Sequence, residues 1–269
     1  MTASLTDLLA EPTSGRRRAV VLDSHDYAQT VFLQGKPVPW QEPMAYANFF
    51  GQVQGVLKSD LALLSLDRFY AERVTDDPAL QAAMGAKSRT GYALRTLLSD
   101  AETTMLVIEL ATVFIQTQRV PVVLQIPSPM QWLARTHPFS GSADVSGLDA
   151  DSAENASMYV ADWLRGFAAL PVIAVLLDDR GPALGAESPP LSTYSPIANV
   201  TDHYRWALGQ RHDDRVNLHA SALRGAVIGT DFWSNDTDTD ALPVGDFLVG
   251  EVPREAVPER VLNRISKLV

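Results

Sequence analysis

Four short stretches place reactive side chains at the ends of apolar runs. In Asn217-Leu218-His219-Ala220-Ser221 polar and apolar residues alternate. A strand repeats every two residues, so Asn217, His219 and Ser221 share one face. A histidine there can ligate metal or transfer a proton, and it can equally be a satisfied structural residue. Asp178-Asp179-Arg180 follows the apolar run Pro171 to Leu177. Adjacent carboxylates at a strand end point to opposite sides. One can serve as acid or base while the other pairs with an arginine or caps a helix. A solvated loop with a salt bridge is the plainer alternative.

Gln125-Ile126-Pro127-Ser128-Pro129 ends another apolar run with a rigid turn. It either aims a carbonyl or the Ser128 hydroxyl at a ligand or is only a turn. Asp231-Phe232-Trp233-Ser234-Asn235 joins an acid to two aromatics, which suits either a pocket wall or core packing. Ser24-His25-Asp26 and Asp67-Arg68 follow two more apolar runs and can add a fifth and a sixth contribution. The catalytic candidates are therefore His219, Asp178, Asp179 and Asp231. Gln125, Ser128, Arg180, Asn217, Ser221, Trp233 and His25 are the candidates for substrate contact. His137, His203 and His212 fall in predicted loops or helices and read as surface residues.

Such residues need strands that end together. Ala19 to Leu22, Leu61 to Leu66, Val120 to Ile126, Pro171 to Leu177, Val216 to Leu218, Ala226 to Thr230 and Val244 to Val249 read as strands. Helices are predicted over 44–58, from Pro78 to about Ser99, from Asp100 to about Gln118, and over 155–170, 197–210 and 258–268. Strands alternating with helices mean a mainly parallel sheet. Polar residues gathered at several C-terminal strand ends favour a barrel over an open sheet. The expected fold is an α/β, (βα)8 TIM-like barrel, incomplete or modified at its last strand. Residues 1–17 read as a flexible tail with at most one short helix, and 18–269 as a single barrel domain.

Composition narrows the function classes. With 22 basic and 32 acidic residues the net charge is -10, which disfavours nucleic acid as a partner. Only Arg16, Arg17 and Arg18 form a basic cluster. No run approaches the roughly 18 apolar residues that a membrane helix requires. The arginines near the N-terminus follow the apolar residues, so no export signal is read and a cytoplasmic location is expected. Zero cysteines exclude disulfides, iron–sulfur clusters and a thiol nucleophile. Dinucleotide, Walker and Gly-x-Ser-x-Gly motifs are all missing.

Taken in order, the strand ends resemble the C-terminal barrel of cobalamin-independent methionine synthase and its cousin, the uroporphyrinogen decarboxylase barrel. The likeness covers roughly residues 118–268. The family's Gly-Pro turn is similar to Leu124 through Pro129, and its Asp-Glu-Pro to Asp178-Asp179-Arg180. Its His-x-Cys zinc motif is similar to His219-Ala220-Ser221, and its zinc-binding Glu falls near Asp231. Its Gly-x-Asp strand before a Pro-led helix looks like Gly245-Asp246-Phe247-Leu248-Val249 followed by Val257-Pro258. The family's zinc activates a thiol for methylation. Here Ser221 stands where the thiolate would be, and a neutral hydroxyl is a poor zinc ligand. The family's last strand, with Pro-Asp-Cys-Gly, has no counterpart.

The resemblance implies a barrel enzyme without thiolate zinc, doing acid–base work on a small polar substrate as a lyase, decarboxylase or alkyl transferase. No cofactor is expected. A weaker oxygen/nitrogen metal site of His219, Asp231 and Asp178 is an open alternative, as is homo-oligomerisation. The competing function is a non-catalytic small-molecule binder or a partner subunit whose missing strand another chain supplies. Elemental analysis of the purified protein is expected to find no stoichiometric zinc; zinc at one per chain contradicts the reading of Ser221.

Overall fold

A computed structural model describes residues 4–181, 188–234 and 242–268. The chain opens with α1 (Leu5–Ala10), β1 (Val20–Asp23), α2 (His25–Val31) and α3 (Pro43–Leu57). Next come β2 (Ala62–Ser65) and four helices, α4 (Asp67–Asp76), α5 (Pro78–Met84), α6 (Tyr92–Leu98) and α7 (Ala101–Thr117). Then follow β3 (Val122–Pro127), α8 (Pro129–Thr136), α9 (Ala150–Leu164), β4 (Val172–Asp178) and α10 (Ser195–Tyr204). The last third holds β5 (Ala207–Arg211), β6 (Arg215–Leu218), β7 (Arg224–Ile228), α11 (Thr230–Ser234), β8 (Phe247–Glu251) and α12 (Pro258–Ser266).

The eight strands form one sheet in the order β1-β8-β7-β6-β5-β4-β3-β2. It curls until Val21 of β1 meets Leu61, beside β2, in an isolated parallel bridge. The result is an α/β molecule with a nearly closed, barrel-shaped sheet. The sheet is mixed, because β6 runs antiparallel to both β5 and β7. Short turns make these two connections, so the expected βα alternation breaks there.

The seam between β1 and β2 is closed largely by side chains. Val20 N–H donates to Asp60 Oδ2 at 2.7 Å and Leu22 N–H to Ser59 Oγ at 3.0 Å. Ser59 Oγ in turn donates to Leu61 O at 2.7 Å. Arg16 holds Asp60 Oδ2 at 3.0 Å. Backbone groups in a barrel wall must be satisfied, and here two loop residues do what a neighbouring strand would do.

Two apolar layers lie on either side of the sheet. The outer one fills the space beneath the helices. The inner one contains Val21, Leu63, Val123, Ala174, Leu176, Val216, Phe247 and Val249, alternate residues of their strands. Gly225 leaves room for Phe247 in that interior: a Cβ there would stand 2.5 Å from the ring. Leu5 and Leu9 of α1 belong to the same inner cluster and close the N-terminal end of the barrel. The helix is fixed by Ser4 and Asp7, which cap each other's backbone. The stretch read as a tail therefore contributes core.

Several helices start where the sequence places them. Asp77 caps α5 and Asp100 caps α7, each through its side chain. The helix expected from Pro78 to about Ser99 is divided, with Gly91 at φ 79° beginning α6. The helix expected through Gln210 ends at Tyr204, because Arg205 turns left-handed and Ala207–Arg211 becomes β5. Removing the Asp60 carboxylate strands the buried Val20 N–H and takes one of two acceptors from Arg16, which keeps Lys58 O at 2.7 Å. Asp60→Ala is expected to lower unfolding free energy by about 1–3 kcal/mol in denaturant titration. A loss under about 0.5 kcal/mol, the scale of a surface change, counts against the side-chain seam.

Candidate functional site

The inward alternation that makes the core apolar turns polar at the C-terminal strand ends. Asp23 of β1 is in register with Glu251 of β8, Ser65 of β2 with Gln125 of β3, and Asp178 of β4 with Arg211 of β5. These six residues cross the mouth as one layer above the apolar interior. Two arginines from beyond the strands join them, Arg68 in α4 and Arg180 just after β4.

Arg211 is 0% exposed. Its Nη1 lies 3.7 Å from Asp23 Oδ2 and 3.4 Å from Gln125 Oε1, and its Nη2 lies 3.7 Å from Glu251 Oε2. These are ion pairs with slack. Nε and Nη2 are buried and have no hydrogen-bond partner among the described residues. Burial, then Arg180, lowers the Arg211 pKa against the pull of Asp23, Asp178 and Glu251. A guanidinium nonetheless stays cationic in proteins.

Arg180 spans the mouth. It grips Asp178 through Nε at 2.9 Å and Nη2 at 2.7 Å, and its Nη1 bonds Glu251. Arg68 donates to Asp26 at 2.8 Å and stands 3.8 Å from Asp23 and 3.9 Å from Glu251. Burial opposes charge on Asp23, but Arg68 and Arg211 outweigh it, and its carboxyl lies well below the usual range. Asp23 also accepts from Gln125 Nε2 at 3.2 Å, and that nitrogen donates to Ser65 Oγ at 2.9 Å.

His25 sits behind Asp23. Its ring stacks on Trp40 at 5.0 Å and tilts against Phe50 at 5.1 Å. Neither ring nitrogen has a hydrogen-bond partner among the described residues. Burial, then Arg68, pushes its pKa down to about 4, against Asp23 and Asp26. The imidazole is therefore neutral at pH 7, able to donate from one nitrogen and accept at the other.

The remaining sequence candidates separate into three groups. Asp178, Arg180, Gln125 and His25 belong to the mouth or line it. Asp179 and Ser128 lie on the other side of the barrel wall, as alternation requires. Asp179 accepts from Ser128 Oγ and Gln210 Nε2, and its backbone N–H bonds Arg211 O at 2.9 Å. Gln131 Nε2 bonds Asp179 O at 3.0 Å. Asp179 thus ties together the ends of β3, β4 and β5. His212, read as a surface residue, is partly buried with Nδ1 4.0 Å from Asp179.

The third group does not reach the mouth. Because β6 is inverted, its C-terminal end points toward the N-terminal face of the barrel, and His219 N–H bonds Leu208 O at 2.8 Å. His219 is exposed there, and Ser221 accepts from Leu223 N–H in the adjoining turn. Asn217 lies on the outward face, opposite to Val216 and Leu218. The grouping of His219 with Asp178 is thereby corrected, and with it the metal site of His219, Asp231 and Asp178. Among the described residues no cluster of three or more His, Cys, Asp or Glu is placed to hold a metal ion. Asp231 is exposed on α11, while Trp233 is wholly buried against Gly250, which makes it core rather than pocket wall.

Arg211, Glu251, Asp23 and Ser65 were not singled out by sequence. Asp23 and Glu251 carried a signal: each extends the inward period of its apolar strand by two residues. Arg211 carried none while the residues leading to it, through Gln210, read as helix. Compared with known protein families, curated proteins and solved structures, the chain matches none.

A histidine whose folded pKa is depressed stabilises the fold fully above its unfolded value of 6.5 and loses that stability as pH falls toward 4. Between pH 7 and pH 4 the loss expected from His25 is about 3 kcal/mol. The stability from the lowered Asp23 carboxyl is present above its ordinary value of 3.8 and is lost mainly below it, so it adds little slope in this window. His212, also lowered by burial, adds a smaller slope of the same sign. In urea titrations across this range, His25→Phe is expected to flatten most of the slope. An undiminished slope removes His25 as its source.

Proposed function

We propose that this chain is a barrel enzyme that binds a small carboxylate at its C-terminal mouth and performs acid–base chemistry on it without a thiolate-bound zinc. The reading keeps the resemblance to the methionine synthase and uroporphyrinogen decarboxylase barrels at the level of a (βα)8-like layout. It replaces the His219-centred site with one built on Arg211. The observation that carries it is the buried Arg211 guanidinium with two nitrogens lacking an acceptor. Unmet buried donors are costly in a finished structure and are commonly met by a ligand or water.

A carboxylate suits a guanidinium fork better than any neutral group does. It would bind between Arg211 and Arg180 in the place Glu251 now takes. Glu251 is partly exposed and sits at the end of its strand, so it can swing outward with little loss of packing. Freed from Arg180, it becomes the proton acceptor for the group next to the bound carboxylate. Asp23, held ionised, favours a substrate with a cationic or hydrogen-bond-donating group on that side. Proton transfer beside a carboxylate fits a lyase or decarboxylase, and alkyl transfer remains within the same geometry.

The test is a thermal-shift and calorimetric screen with small mono-, di- and amino-carboxylates. At least one is expected to raise the melting temperature. Arg180→Gln is expected to weaken its binding tenfold or more, since a hydrogen bond to a charged group contributes about 1.5–3 kcal/mol. His219→Ala, at the opposite end of the barrel, is expected to bind as the parent does. A screen in which no carboxylate binds, or in which Arg180→Gln binds equally well, ends the proposal.

A further inference from the structure

The barrel wall has an opening at its seam. β1 and β2 are joined by the single bridge Val21↔Leu61, assisted by Ser59 and Asp60. A cavity of about 20 Å³ lies at this junction, lined in part by Asp23, His25, Ala62, Ser65, Gln54 and Gln118. A space holding one water needs roughly 10–15 Å³ and two to four polar partners. The partners are present and unmet. Both ring nitrogens of His25 and Nε2 of Gln118 are buried without a hydrogen-bond partner among the described residues.

A much larger groove, of about 790 Å³, lies outside the sheet between the C-terminal ends of α3 and α7. Asn48, Gln52, Asp60 and Thr117 are among its lining residues, so it is wet. Gln54 and Gln118 line both the groove and the inner cavity. These two amides are therefore the partition between bulk solvent at the side of the barrel and the Asp23–His25 end of the mouth layer. Gln54 Nε2 is already bonded to Ser59 O, which fixes it across the gap.

We propose that the seam is a side passage for water: one molecule bridges His25 and Gln118 in the cavity and exchanges with the groove past the two glutamines. Water and protons then reach Asp23 and His25 through the wall of the barrel while Arg180 covers the mouth. Gln118 positions this water and touches no substrate. The inference takes Asp23 and His25 as the working end of the site and so rests on the proposed function. Its test uses no substrate, so the two fail separately.

High-resolution crystals of the whole protein are expected to show an ordered water within about 3.2 Å of a His25 ring nitrogen and of Gln118 Nε2. Exchange of the His25 ring N–H with solvent, followed by NMR, is the second readout. Ala62→Leu fills the cavity and Gln118→Leu removes the amide. Each is expected to slow that exchange tenfold or more while the rest of the spectrum keeps its native dispersion. A dry cavity in the crystals, or unchanged exchange in a folded variant, overturns the passage. If neither variant folds, the water positions of the parent protein decide the matter alone.

Discussion

Arg211 brings a full positive charge to a place with no contact to solvent, and the barrel mouth is organised around compensating it. Moving an isolated ion into a protein interior costs several kcal/mol even after relaxation. The compensation comes from three strands. Asp23 arrives from β1, Gln125 from β3 and Glu251 from β8, none of them closer than 3.4 Å. The spacing is loose because Arg180 competes for Glu251 and Arg68 competes for Asp23. Asp23 and Glu251 are each shared by at least two arginines, and Arg68, Arg180 and Arg211 each meet at least two acids. Around Arg211 itself the network holds charge without a tight partner, which suits exchange of one internal carboxylate for an external one.

The inverted strand β6 decides which strand ends meet at the mouth. In a strictly parallel barrel every strand would deliver its C-terminal residues to one face. Here β6 delivers His219 and Ser221 to the opposite face, while β5 delivers Arg211 to the mouth. The chain's most conspicuous strand-end histidine is thus kept away from the mouth by topology alone. The same inversion spares the segment from β5 to β7 any crossover helix, so the outer layer of helices is interrupted there.

Much of the architecture was legible from sequence because both faces of β1 to β4 and β8 are apolar and their flanks are not. Asp77, Asp100 and the Pro-led starts marked helix beginnings through ordinary capping chemistry. Direction was not legible. A run such as Val216 to Leu218 looks the same whether it runs up or down, and only the short turns on either side decide. Trp206 to Gln210 continued a helical pattern until the left-handed Arg205 broke it, which hid Arg211. In Asp178-Asp179 the sequence showed that the two carboxylates must diverge. It took packing to show that Asp178 faces the mouth and Asp179 ties down the loops.

The pairing of β1 with β8 sets a schedule for the chain. Val20 through Asp23 align with Leu248 through Glu251, so the first strand waits for the last before its ladder exists. Contacts this distant in sequence form slowly, because the loop they close must lose its freedom first. Until β8 arrives, the backbone of β1 has one early partner close at hand, the Ser59–Asp60 side chains, which need only the segment through β2. On a growing chain those two residues are a temporary neighbour for an unpaired strand edge, and only afterwards a seam.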